Sequence, residues 1–249
     1  MDVGTTVADL GGWPFVGLLG VIFLGAIIQG TTGFGLGLFA APVMVVVEPG
    51  LLPAALILVS IPLPLLMALR EPVAARSAGL GWAFIGRITG TAVGVAAVAW
   101  FSPRVLALVV AGAVLLAVGL SVTSWRPSVT PRSLLVAGFL SGAAGTATAV
   151  GGPPMALLFQ RSTGAEVRST LGWFFFFGTS LSLVGLLLAG QVTTMHVRAA
   201  AWMALPMVAG FAVSGRLRSI IDNGRTRLAL LSLATISALA LLGRSVAGT

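Results

Sequence analysis

Apolar residues gather along this chain in ten blocks of 8 to 23 positions, separated by short polar stretches. Five lie in the first half: Trp13 to Gln29, Leu36 to Val47, Leu51 to Leu69, Gly79 to Phe101 and Pro103 to Val122. Five follow in the second: Ser133 to Ala147, Gly152 to Phe159, Arg168 to Gly190, Val197 to Arg216 and Arg225 to Leu242. A membrane β-barrel needs segments of about 10 residues that alternate apolar and polar, and stretches such as LALVVAGAVLLAVGL do not alternate. Apolar runs of about 20 residues cross roughly 30 Å of hydrocarbon as helices. The pattern therefore predicts an all-α fold, a polytopic transmembrane helical bundle.

The order of blocks repeats. Each half opens with two short segments split by a Gly/Thr-rich break and continues with three long ones. The breaks QGTTGFGLG (Gln29 to Gly37) and GTATAVGGP (Gly145 to Pro153) lie 116 positions apart, an offset that superposes Thr32 on Thr148 and Gly35 on Gly151. At about 1.5 Å per residue most of the short segments fall short of the bilayer core, so each pair is expected to consist of half-helices. Such a pair could be a re-entrant hairpin, two tilted crossings or one broken crossing.

Arginine placement decides against the broken crossing. If each pair returns to the side it entered from, with the N-terminus outside, ten loop arginines fall in the cytoplasm and only Arg104, Arg198 and Arg244 outside. If each pair is one crossing, the count is seven against six and the bias vanishes. An odd number of effective crossings per half then makes the two repeats inverted. The expected organisation is an N-terminal tail over 1–12, a first transmembrane repeat over 13–122, a cytoplasmic linker over 123–132 and a second repeat over 133–249.

Composition agrees with the membrane reading. The chain is 57% hydrophobic and 8% charged, with a mean hydropathy of +1.08, whereas about a quarter of a soluble domain is charged. Its net charge of +8 comes from fourteen basic residues, all arginine, scattered between apolar runs as topogenic charges are, so no nucleic-acid partner is expected. The absence of cysteine excludes disulfides, thiolate metal sites and thiol catalysis. The first residues carry two aspartates and no basic residue, which reads as a short retained tail and not a cleaved signal. No His cluster or deep carboxylate pair supplies a metal site or an activated nucleophile, so neither a cofactor nor an enzyme is expected.

The candidate chemistry lies at the breaks. Gly30, Gly33, Gly35 and Gly37 let backbone leave the helix and approach a ligand. Unwound backbone at membrane depth must be buried in protein or line a cavity. Leu36 and Gly152 are expected to open half-helices whose N-termini present N–H donors to an anion. Hydroxyls of Thr31, Thr32, Thr146 and Thr148 and the amide of Gln29 are further candidate donors. With Gly33, Gly35, Gly151 and Gly152 they make the candidate substrate-binding set. Single glycine motifs more often serve tight helix packing; two matched breaks flanked by Pro42 and by Pro153 and Pro154 favour a site.

Arg87 completes the set. It stands about eight residues inside its block, roughly 12 Å deep, where a cation marks a pathway or a binding site unless it snorkels to the headgroups. The aromatic run Trp173 to Phe177 reads as a packing or lipid-facing surface. His196 reads as a solvated loop residue.

Taken together, GTTGFGLGLFAAP and SGAAGTATAVGGPP at the starts of two related halves resemble the sulfite exporter TauE/SafE family, from about Trp13 to Leu242. The resemblance implies export of a sulfur-containing oxyanion, sulfite or an organosulfonate such as sulfoacetate, by a multi-pass protein of the cell inner membrane. The expected partners are a small inorganic or organosulfonate anion and the lipid bilayer, with a homodimer left open. An anion channel and a non-transporting membrane scaffold are the alternatives. Because an inside-negative potential supplies about 2.3 kcal/mol per charge per 100 mV, outward anion movement is expected to need no coupling ion.

Overall fold

The computed structural model describes residues 13–71, 79–122 and 127–221. The expected N-terminal tail and the last apolar block, Arg225 to Leu242, lie outside the described residues, as does part of the linker. Among the described residues every regular element is helical. In chain order they are α1 (Trp13–Thr32), α2 (Leu36–Val47), α3 (Ala54–Ser60), α4 (Pro62–Arg70), α5 (Leu80–Trp100), α6 (Pro103–Val122), α7 (Pro131–Thr148), α8 (Gly152–Leu158), α9 (Gly164–Leu188) and α10 (Thr194–Ile221). Four of these, over Pro14–Thr32, Leu80–Trp100, Gly164–Leu188 and Thr194–Leu217, are long and apolar enough to cross a membrane.

Two expectations about lengths are corrected. The first helix of each pair is not a half-helix: α1 has 20 residues and α7 has 18, about 30 and 27 Å of rise. Only the second members are short, α2 with 12 residues and α8 with 7. The helix runs on through Gly30 and Thr31 to Thr32; the Thr31 hydroxyl donates to Ile28 O at 2.7 Å, and the single Thr32 hydroxyl proton is shared between Ile28 O at 3.0 Å and Phe34 O at 2.7 Å. Leu51 to Leu69, expected as one long segment, is divided at Ile61 into α3 and α4. Pro62 and Pro64 cannot donate to the ladder there, although Ile61 keeps helical dihedrals (φ −57°, ψ −46°), so the chain bends without unwinding.

Local sequence sets the helix starts. Thr130 and Ser133 close a capping box at α7, and Thr163 and Glu166 close another at α9, each satisfying N–H groups that the first turn leaves open.

Two helix pairs approach with almost no side chain between them. On α5, Gly86, Gly90 and Gly94 recur every four residues and lie against Leu135, Phe139 and Ala143 of α7; from the other side Gly138 and Gly142 meet Ala83 and Arg87 backbone. A Cβ at any of these would strike backbone, so the small residues are what permits the contact. The register rises together on both helices, so α5 and α7 are parallel. Helices α1 and α10 are parallel in the same way, with Gly210 on Phe23 O and Gly30 on Ser214.

The apolar interior has two main parts. One is built on α1 to α4 and α6 and takes in Ala199, Met203, Met207 and Phe211 of α10. The other is built on α7 to α9 and takes in Ala83 of α5. Each half thus contributes one long helix to the other half's core. Ile57, Val98, Ala147 and Leu186 form a smaller cluster between them.

Candidate functional site

The two breaks share a backbone plan at the 116-residue offset. α1 ends at Thr32 and α2 starts at Leu36; α7 ends at Thr148 and α8 starts at Gly152. Beyond each threonine the chain turns left-handed, at Gly33 with φ 102° and at Ala149 with φ 61°. An alanine bears this conformation at a cost of about 1–2 kcal/mol, and here Ala149 N–H still bonds Gly145 O at 3.0 Å, as Gly33 N–H bonds Gln29 O at 2.8 Å. Thr32 and Thr148 each bond the carbonyl four residues back, at 3.0 and 2.7 Å.

The unwound segments run antiparallel past each other. Gly37 lies on Ala149 O, and a Cβ on Gly152 would meet the Phe34 side chain at 2.8 Å. Where they cross, a cavity of about 50 Å³ opens, room for a few water molecules. Its walls come from both breaks (Gln29, Gly35, Gly37, Gly145, Gly151, Gly152), from Ser60 at the α3–α4 bend, from Phe175 and Thr179 of α9, and from Arg87.

Arg87 is 1% exposed, the largest of the fully enclosed side chains among the described residues. Its guanidinium does not snorkel. Nη1 donates to Ser141 O at 2.7 Å and to Ser141 Oγ at 2.9 Å, and Nη2 donates to Ser182 Oγ at 3.1 Å. Ser182 Oγ also stands 2.7 Å from Thr146 Oγ1 and donates to Gly178 O. The ring of Phe174 lies 5.8 Å away, within cation–π range. All these partners are neutral, and Nε has no hydrogen-bond partner. A buried cation normally sits beside a carboxylate; this one is held by hydroxyls, a carbonyl and an aromatic face.

The candidate residues fall into two groups. Gln29, Gly35, Arg87, Gly151 and Gly152 line the cavity. Thr31, Thr32, Gly33, Thr146 and Thr148 stand behind it, and the four hydroxyls are occupied within the protein: the first two on Ile28 O, Thr148 on Ala144 O, Thr146 with Ser182. The helix N-termini offer fewer donors than their number suggests. Gln29 Oε1 accepts from Leu36 N at 3.0 Å, which takes up the first donor of α2. At α8, Pro153 and Pro154 carry no N–H at all.

Sequence reasoning missed Ser141, Ser182, Thr179, Ser60 and Gly178, and did not connect Gly145 or the candidate Gly151 with the guanidinium. Cβ atoms added to Gly145, Gly151 and Gly178 would stand 2.9, 3.1 and 2.6 Å from Arg87 nitrogens. The available signal was a polar or glycine residue every three to four positions on the α7 and α9 faces, a helical stripe that an intramembrane cation requires.

Two further polar links flank the site. Arg168 pairs with Glu71 at 2.9 Å and donates to Thr31 O at 3.2 Å, tying α9 to the ends of α4 and α1. His196 is not a solvated loop residue: it is 8% exposed, accepts from Thr193 N at 2.9 Å through Nδ1, and bonds Gly50 O at 2.8 Å through Nε2. Because Nδ1 accepts, Nε2 carries the proton. The aromatic run divides, with Phe174 and Phe175 buried and Phe177 exposed on the outer surface.

A model of the family described as Sulfite exporter TauE/SafE matches residues 18–241. No curated protein and no solved structure matches the chain.

Proposed function

The chain belongs to the sulfite exporter TauE/SafE family, and from this premise we propose that it carries a small sulfur-containing oxyanion, sulfite or an organosulfonate, through the cavity where the two breaks cross. Membership of that family and four helices of membrane-crossing length make it a multi-pass membrane protein. The observation that carries the reading is Arg87: a guanidinium enclosed by protein, bonded only to neutral groups, at the wall of a cavity lined by unwound backbone from both halves. An oxyanion is the ligand that such a cation lacks. Gln29, Gly35, Gly151 and Gly152 would shape the pocket, with Thr31, Thr32, Gly33, Thr146 and Thr148 fixing the backbone behind it.

The two halves, 13–122 and 133–249, are read as inverted repeats in the inner membrane. Supporting this are the matched helix ends, the antiparallel passage of the breaks, and the two parallel pairs in which the first helix of one half meets a long helix of the other. The hairpin α1–α2 has its tip at the Arg168 end, and α7–α8 has its tip at the opposite end, beside Val98 and Leu186. With a site at the junction of two opposed hairpins, rocking one half on the other would expose it alternately. The inside-negative potential favours outward movement of an anion without a coupling ion. In proteoliposomes at clamped potential, saturable sulfite efflux with counterflow is the expected behaviour. Non-saturating flux without counterflow would point to a channel, and absence of any anion flux in folded protein would leave a scaffold.

A further inference from the structure

On the reading that the cavity beside Arg87 is the transport site, we infer that it selects singly charged sulfonate-type groups, bisulfite or an alkanesulfonate, over dianions such as sulfate and fully deprotonated sulfite. The charge count of the site carries this. Among the described residues, Arg87 is the one charged residue on the cavity wall. The groups that face its guanidinium are Ser141, Gly145 and Gly151 from the second hairpin and Phe174, Gly178 and Ser182 from α9, and none of them titrates.

Helix termini add partial and not formal charge. The first donor of α2 is already satisfied by Gln29 Oε1, and α8 begins Gly-Pro-Pro, which removes two donors from its first turn. The described wall therefore carries one formal positive charge, that of Arg87. A monoanion neutralises that formal charge, whereas a dianion leaves a net negative charge in a protein-walled cavity with room for only a few waters, where net charge is costly. Size points the same way: about 50 Å³ admits a headgroup and not the hydration shell that a dianion would need to keep.

The ligands themselves give a clean test, because methanesulfonate is a monoanion and sulfate a dianion throughout the neutral range, while the sulfite dianion takes up its first proton, to become bisulfite, near neutrality. Binding of each to the purified full chain is measured by calorimetry from mildly acidic to mildly alkaline pH. Methanesulfonate is expected to bind with an affinity flat in pH, sulfate at least about tenfold more weakly, and total sulfite progressively more weakly as pH rises and bisulfite is lost. Sulfate binding as tightly as methanesulfonate, or sulfite affinity rising with pH, overturns the charge preference. An Arg87→Gln chain, checked for folding by its melting transition, separates the two levels. If anion binding is absent, or unchanged in the variant, the transport-site reading itself fails; if binding depends on Arg87 but favours dianions, only the charge inference does.

Discussion

A Cβ placed on Gly178 of α9 would stand 2.6 Å from Nε of Arg87, so the absence of a side chain at Gly178 is what lets the guanidinium lie flat against α9. Gly178→Ala is expected to push the guanidinium off Ser141 and Ser182 and toward the cavity, because a Cβ at Gly178 occupies the space where Nε lies. The expected result is loss of at least about tenfold in anion affinity, roughly 1.4 kcal/mol, with the chain still folded. Binding calorimetry beside a thermal melt checks it; unchanged affinity would place the anion elsewhere.

The α5–α7 contact should be the part of the bundle least tolerant of added volume. Gly90 lies on Phe139 O, with Ala143 N 2.9 Å from where its Cβ would be, and backbone cannot yield as a side-chain tip can. Gly90→Ala is expected to lower stability by about 1–3 kcal/mol. By contrast, Gly17→Ala and Gly112→Ala, which meet nothing within 4 Å, should be neutral or slightly stabilising. Melting temperatures in one detergent compare the three directly.

The pair Arg168–Glu71 is mostly buried, with 13% and 14% of the side chains exposed, and is doubly hydrogen-bonded, so it is screened less than a surface pair. A double-mutant cycle with Arg168→Gln and Glu71→Gln is expected to give more than about 1 kcal/mol, above the range of exposed pairs. Arg168→Gln alone should cost more than Glu71→Gln, since it also strips the donor from Thr31 O at the end of α1. Equal single-variant effects would contradict the link to α1.

His196 ties the start of α10 to Gly50, with Thr193 N–H and hydroxyl at Nδ1 and Gly50 O at Nε2. His196→Ala should cost about 1–3 kcal/mol, the range for leaving buried partners unsatisfied, while saturable anion binding persists, because the residue is not on the cavity wall. Loss of binding in a folded His196→Ala chain would tie the start of α10 to the site.

The sequence carried the membrane class and the position of both breaks, because apolar block length and glycine clustering are local properties of the chain. It did not carry the division of Leu51 to Leu69 into two helices, nor the helix lengths at the breaks, where α1 runs on through Gly30 and Thr31. Arg87 stood out because a deep cation is rare in any apolar run. Its partners did not, since Ser141 and Ser182 lie 54 and 95 positions away and look like ordinary small residues of packed membrane helices. His196 was read as solvated for the same reason, its acceptor at Gly50 being 146 positions away.

The central claim is that Arg87 is the fixed positive charge that holds the transported anion. Sulfite flux through proteoliposomes at clamped potential, for the native chain, Arg87→Lys and Arg87→Ala, tests it most directly. The account predicts saturable flux in the native chain, weaker flux in Arg87→Lys, which keeps the charge but cannot span Ser141 and Ser182, and none in folded Arg87→Ala. Native-like saturable flux in Arg87→Ala would contradict it.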